Sequence, residues 1–417
     1  MIEQNGIIEC VADMERKTKN KLIIISIIFS MICGLIYVYD FFFMVHPEGL
    51  GGSDVLTQIG YMNVWYDTGS LPDMCQVYPL FYSILRVMYH FVRNWVVVIL
   101  SFTFIWSFAT NMAQIGLIRY FTSDSDSMFP VVSGSLLSFI WPISLKYSFF
   151  GGKTFWDMPL EQVFLTSGAT APDHSLTYLC VKPFALLTVL FFTRILENED
   201  EKSNIKNYLI FALMLLGSVL AKPNFYQCFA PAGVIAVLIY LKRNGFKVFA
   251  RCCLIAAAYL PATIWVIYGM RFKLNPYEIN FLEGISIFGD KTPVVIVLAR
   301  AVVFCLFVAV CLIIYRRRDD LFGLGGLIYL FGTAEYLLFI EPAEPWTLSM
   351  SWGYYIGMYV LFVTAIVAFY KLFKGNETGK ARILYISGWV ICAVHACLGI
   401  AVFVITWWPW WRSFLGL

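Results

Sequence analysis

Charge is what this sequence has least of. Only 14% of its 417 residues are Asp, Glu, Lys or Arg, while 60% are apolar; a soluble domain carries roughly 25% charged residues. The deficit is even along the chain, so no stretch reads as a soluble unit, and 1–417 reads as one integral-membrane domain. A net charge of +3 is too small to argue for nucleic acid as a partner. The eleven cysteines include no C-x-x-C and no Cys/His ligand spacing. They give no ground for disulfides or zinc and are expected as thiols inside apolar helices. Also missing are G-x-S-x-G, H-E-x-x-H, a P-loop and a G-x-G-x-x-G after a strand, so the common hydrolase and nucleotide-binding readings have no support. No internal repeat and no low-complexity segment is visible.

Long apolar runs are what the chain has in abundance. A spanning helix needs about 20 mostly apolar residues. The runs that qualify are 22–44, 95–118, 128–146, 176–195, 207–222, 225–241, 250–269, 292–315, 321–340, 353–373 and 383–406. The first is too long for a signal-peptide core and lacks a cleavage site, so it reads as an uncleaved span after a polar tail, 1–21. A shorter segment, 77–92, contains Arg86 and His90. Basic residues cluster in the N-terminal tail (Arg16, Lys17, Lys19, Lys21) and in 241–247, 315–320 and 370–382. These clusters share the cytoplasmic side only if 77–92 does not cross. The expected fold is therefore all-α: a polytopic transmembrane bundle of about eleven crossings plus a short re-entrant or interfacial helix, with the N-terminus cytoplasmic. The outer loops are then 45–94 and 147–175, with smaller ones at 270–291 and 341–352.

The loop 45–94 has internal design. Gly49, Gly51 and Gly52 allow a sharp turn, and Ser53 is a plausible N-cap. Val55, Ile59, Met62 and Tyr66 recur at helical spacing, which predicts a short amphipathic helix over 54–67 ended by Gly69. Tyr61 and Trp65 suit the headgroup layer. Asp54 would then sit in the first turn of an interfacial helix, where an acid either complements the helix dipole or serves as a base.

This arrangement resembles the GT-C superfamily of membrane glycosyltransferases. Their pattern is a first span, an outer loop with one acid or an acidic pair, an amphipathic juxtamembrane helix, a G-x-x-P turn, then Y-P and a small apolar helix. Here it reads Asp54, the helix 54–67, Gly69-Ser70-Leu71-Pro72 and Tyr78-Pro79-Leu80-Phe81-Tyr82. The likeness covers the stretch from His46 to Ser83 and, beyond it, only the general architecture. It implies transfer of a sugar from a polyprenyl-phosphate carrier to a glycan or lipid-linked acceptor on the extracytoplasmic side, with Asp54 as general base. It calls for no cofactor. Many members have two adjacent acids, but Asp54 stands between Ser53 and Val55, which leaves a divalent metal open. The expected setting is a bacterial cytoplasmic membrane, with membrane lipids as neighbours.

Other residues are expected to bind substrate. Glu48 lies in the same loop. Asp157, Glu161, Asp173 and His174 lie in the second outer loop among Phe149, Phe150, Phe155 and Trp156; carboxylates beside aromatic faces suit sugars, although Asp173-His174 also reads as a turn capping the next span. Lys222 is expected just inside the outer half of a span, where charge is costly and often functional, though a lysine can also snorkel. Arg271 and Lys273 are basic on the outer side and are expected at the carrier phosphate or as headgroup anchors. Arg300 and Glu335 lie within spans and are expected to pair. Two further function classes compete: a transporter or flippase of lipid-linked sugars, and a polysaccharide polymerase or ligase. A transporter would be favoured by repeats and broken helices, a polymerase or ligase by a large late loop rich in Arg and His.

Overall fold

The computed structural model describes residues 2–45, 54–123, 127–141, 143, 175–197, 205–271, 278–279, 294–340, 351–375 and 379–415. Glu48, Asp157, Glu161, Asp173, His174 and Lys273 lie outside the described residues.

The described chain is a helical bundle. Its helices in chain order are α1 (Ile2–Val45), α2 (Asp54–Thr68), α3 (Asp73–Gln76), α4 (Pro79–Val92), α5 (Trp95–Thr122), α6 (Phe129–Leu137), α7 (Leu176–Glu197), α8 (Ile205–Ala221) and α9 (Asn224–Asn244). After a 3-10 turn at Phe246–Val248 come α10 (Phe249–Gly269), α11 (Val294–Ala301), α12 (Val303–Ile314), α13 (Asp320–Leu338), α14 (Ser351–Phe373) and α15 (Gly379–Leu415). A two-residue antiparallel pair, β1 (Glu278–Ile279) with β2 (Phe339–Ile340), is the one sheet among the described residues.

Among the described residues, eight helices are long and apolar enough to span a bilayer: those over Thr18–Phe42, Trp95–Thr122, Leu176–Glu197, Asn224–Asn244, Phe246–Gly269, Asp320–Leu338, Ser351–Phe373 and Gly379–Ala401. Each matches an expected span. The other three expected spans fall short as single helices. Run 207–222 is α8, whose 17 residues reach about 26 Å at the α-helical rise. Run 292–315 is broken at Val302 into α11 and α12. Run 128–146 forms only the nine-residue α6. Residues 138–141 and 143, which follow α6, are non-helical, which is tolerable at bilayer depth only when protein satisfies their backbone. Here Trp141 N–H donates to the His395 carbonyl (3.2 Å), Ile143 N–H donates to the Arg300 carbonyl (3.3 Å), and His395 Nδ1 donates to the Trp141 carbonyl (2.6 Å).

Between apolar helices in lipid there is little hydrophobic drive, so close backbone approach matters more. The antiparallel pair α13–α14 uses it. Gly325 lies on Thr364, Gly357 on Ile328 and Tyr329, and Gly332 on the Gly353 carbonyl. A Cβ at Gly332 would collide with that carbonyl. The pair forms the centre of the bundle, with α14 buried along most of its length.

Helices α1 and α5 are also antiparallel: Ser26 meets Arg119 (3.5 Å), Ser30 donates to Asn111 (2.7 Å), and Gly34 faces Phe104. The chain therefore leaves α1 and enters α5 at the same end of the bundle. Helix α2 forms as expected, with Val55 and Met62 buried and Gly69 ending it at φ 75°. It packs beside α4: Tyr66 meets Tyr89 edge-on at 5.0 Å, and the Arg86 guanidinium lies 4.2 Å from the Trp65 ring.

The contacts sort the bundle into two ends. One holds α2–α4, the starts of α7, α9 and α14, and the end of α10; this is the Asp54 end. At the other, Arg243 pairs with Asp320 and Lys371 with Asp319. This basic end gathers the clusters 241–247, 315–320 and 370–375.

Candidate functional site

Asp54 opens α2 half-buried. One turn on, at i+4, Gln58 shares its face and is 5% exposed. Gln58 Nε2 donates to Ser175 Oγ at 3.3 Å, and Ser175 Oγ lies 2.8 Å from Thr177 Oγ1. Thr177 Oγ1 accepts from Lys222 Nζ at 2.9 Å. The Lys222 ammonium lies 3.9 Å from the centroid of the Trp352 ring, a cation–π contact that strengthens when desolvated. Asp54 acts electrostatically on Lys222. Four separate elements, α2, the entry to α7, the α8–α9 turn and the start of α14, thus meet around one ammonium, with one carboxylate in electrostatic reach.

Lys222 is 8% exposed and sits between α8 and α9 rather than within either. Burial pulls its ammonium down to about 8, and the Asp54 carboxylate opposes that shift. On the other flank, burial pushes the Tyr78 phenol well above its ordinary value, with Cys75 and Asp54 adding to it and a hydrogen bond to Tyr82 opposing.

The aromatic wall continues inward. The Trp352 and Tyr178 rings are 5.4 Å apart. Lys182 Nζ lies 4.7 Å from both the Tyr178 and Tyr359 centroids. The Tyr359 hydroxyl accepts from Gln114 Nε2 at 2.6 Å, which ties the wall to a buried polar knot. In that knot Asn111 Nδ2 reaches Ser138 Oγ (3.1 Å) and the Gly134 carbonyl (3.4 Å), and Tyr37 donates to the Ser138 carbonyl. The knot anchors the end of α6 and so stiffens the floor of the site.

Among the expected site residues, the structure brings Asp54 and Lys222 together. Arg271 is at the same end but exposed, with its guanidinium over the Tyr268 ring at 3.4 Å. Tyr268 stands by Trp265 (5.2 Å), whose Nε1 donates to the Val77 carbonyl next to Tyr78. The expected Arg300–Glu335 pair is not formed: Glu335 Oε2 is sealed from solvent with no hydrogen-bond partner. Gln58, Ser175, Thr177 and Tyr359 are additions. Of these only Gln58 left a trace in the sequence, as a polar residue inside the apolar stripe Val55–Ile59–Met62.

No protein-family model, no curated protein and no solved structure matches this chain. What stands is a polytopic, all-helical membrane protein. The described cysteines are free thiols, most of them buried. Among the described residues no three His, Cys, Asp or Glu side chains gather as metal ligands.

Proposed function

We propose that this chain is a membrane glycosyltransferase moving a sugar from a polyprenyl-phosphate carrier to a hydroxyl acceptor, glycan or lipid-linked, at the extracytoplasmic face. The observation that carries the reading is the buried Lys222 within electrostatic reach of Asp54, at the head of an amphipathic helix. A lipid-borne phosphate lies at the membrane interface, and a short amphipathic helix at the end of a bundle is where a site for it belongs. By the positive-inside rule the basic end is cytoplasmic and the Asp54 end faces out. The half-helix α6, the short α8 and the broken α11–α12 then complete eleven traverses.

In this mechanism the acceptor O–H proton passes to the Asp54 carboxylate as the oxygen attacks the anomeric carbon. The bond between that carbon and the phosphate oxygen breaks, and its electron pair stays on the phosphate. Lys222, in a water-poor aromatic setting, stabilises the negative charge that develops there. Arg271 would assist from the rim. Gln58 Oε1, buried without a partner, is an open acceptor for a ligand hydrogen. Purified protein in lipid nanodiscs should transfer sugar from a polyprenyl-phosphate donor, and Asp54→Asn should not.

A second reading, a carrier of lipid-linked sugars, draws on one observation: α11–α12 is interrupted at Val302, as in transporters that bind at broken helices. It predicts movement of the intact donor across a sealed vesicle without transfer.

A further inference from the structure

Helix α4 takes no part in the chemistry above, and its three sides are unlike one another. At about 3.6 residues per turn, Phe81, Tyr82 and Leu85 share one side and are buried. Arg86 and His90 stand one turn apart on a second side, and Arg93, which caps the helix, follows another turn on; all three are exposed. Val87 and Phe91 form the third side, also exposed, Phe91 to 79%. That apolar side runs on into Val96 and Val97, in the first turn of α5. A helix with one side in protein, one basic and one apolar belongs where all three surroundings meet, at the edge of a bilayer. Its 14 residues reach only about 21 Å, short of a crossing.

The basic side is held in place. The Arg86 guanidinium lies 4.2 Å from the Trp65 centroid and 6.0 Å from that of Tyr66, a contact that orients its planar fork. Tyr89 stacks on Trp95 at 3.9 Å, and Trp95 Nε1 donates to Asn63 Oδ1 at 2.9 Å, so α2, α4 and α5 are joined beneath the cations. Among the described residues no carboxylate forms an ion pair with any of the three. They lie at the Asp54 end, away from the basic clusters that set orientation, so the charge bias between the two faces does not account for them. The dipole at the end of α4 accounts for His90 and Arg93 at most, since Arg86 stands more than a turn back from that end.

We propose that this side of α4 is a headgroup site for an anionic phospholipid. The lipid phosphate accepts hydrogen bonds from Arg86, His90 and Arg93, and the acyl chains lie along Val87 and Phe91. The charges are complementary, and Arg86 supplies a fork that matches two phosphate oxygens. Trp65, Tyr66, Tyr89 and Trp95 are the ring types that sit at headgroup level. The bound lipid fixes the depth of the α2–α4 layer and so the height of Asp54 above the hydrocarbon. The site stands independently of the transferase reading.

The test uses the full chain in phosphatidylcholine nanodiscs doped with phosphatidylglycerol that carries a photoactivatable headgroup, with cross-links mapped by mass spectrometry. Label should fall on residues 86–93; unlabelled phosphatidylglycerol should compete for it and added phosphatidylcholine should not. Arg86→Gln should lower that label about fivefold, the scale of one cation at a charged surface, and Arg93→Gln in the same chain should lower it about fivefold again. Melting in pure phosphatidylcholine is the control for folding, and His90→Gln with Arg93→Gln takes the place of any Arg86 variant that fails it. Label within twofold of the wild type in the double variant, or equal competition by phosphatidylcholine, overturns the proposal. Competition by polyprenyl phosphate at concentrations where phosphatidylglycerol has no effect gives the site to the sugar carrier and overturns it as well.

Discussion

At the basic end, Arg243 meets Asp320 at 2.6 Å, yet their side chains remain 39% and 72% exposed. At the Asp54 end, Lys222 is 8% exposed and is held by a hydroxyl and an aromatic face as well as by the field of a carboxylate. The first pair stays in water, where ion pairs contribute little and salt screens them. The second sits where charge is expensive to keep. A chain poor in charge that buries Lys222 at one end, and leaves Arg243 solvated at the other, separates a working group from groups that set orientation.

The largest break in that comparison should come from Asp54→Asn. The variant keeps shape and the capacity to accept at the helix start but removes the base. Turnover with a polyprenyl-phosphate sugar should fall about 100-fold or more, the usual scale of general-base catalysis, with the protein still folded. If Asp54 only complements the helix dipole, the loss is instead about 0.3–1 kcal/mol of stability with normal turnover, and the catalytic assignment fails.

Lys222 comes next, and its effect depends on pH. Its ammonium titrates near 8 in the folded chain, below the roughly 10.4 of a free lysine. Between those values the unfolded chain binds more protons, so stability should rise as pH goes from about 8 to 10, by about 3 kcal/mol at most, and be flat below 8. Lys222→Met should abolish that rise. In the same window the ammonium is lost, so donor affinity should fall with rising pH. At pH 7, Lys222→Met should weaken donor binding about tenfold. Melting curves and donor titrations across pH check both, and a wild-type melting temperature independent of pH above 8 would contradict the burial argument.

Why the helix of Asp54 was legible in the sequence while its nearness to Lys222 was not follows from range. The helix over Asp54–Thr68 is a local matter: apolar spacing, a glycine at its end, an acid at its start. Eight spans were legible from runs of apolar residues for the same reason. Lys222 was visible as a charge beside a span, but its contact with Trp352 joins residues far apart in sequence that only packing brings together. Run 128–146 reads as a full span because hydropathy counts apolar residues and not hydrogen bonds, whereas its described residues are helical only over α6. Where α6 stops is decided by Tyr37, Asn111 and His395, from three other helices.

A smaller effect is expected at the rim. Arg271 is exposed, and its guanidinium lies over the ring of Tyr268, so a phosphate it meets is also solvated. Arg271→Ala should weaken donor use about two- to threefold at low salt, on the scale of an exposed charge contact, and the difference should vanish at high salt. A loss as large as that of Lys222→Met would move the phosphate from the buried lysine to the rim.

The smallest effect is the control on the whole comparison. Arg243 joins α9 to the head of α13 through Asp320, across the bundle from Asp54. Removing it leaves Asp320 in water rather than stranded in protein, so no buried charge is exposed to compensate. Asp320 also remains in the first turn of α13, where the helix dipole favours an acid. Arg243→Ala should therefore change stability by about 0.5 kcal/mol or less and leave donor and acceptor binding untouched. Since several other cations share that end, orientation in the membrane should persist too. A melting shift equal to that of Lys222→Met, or any fall in turnover, would mean that the two ends are coupled through α13 and α14, whose glycine-to-glycine packing would then transmit the change.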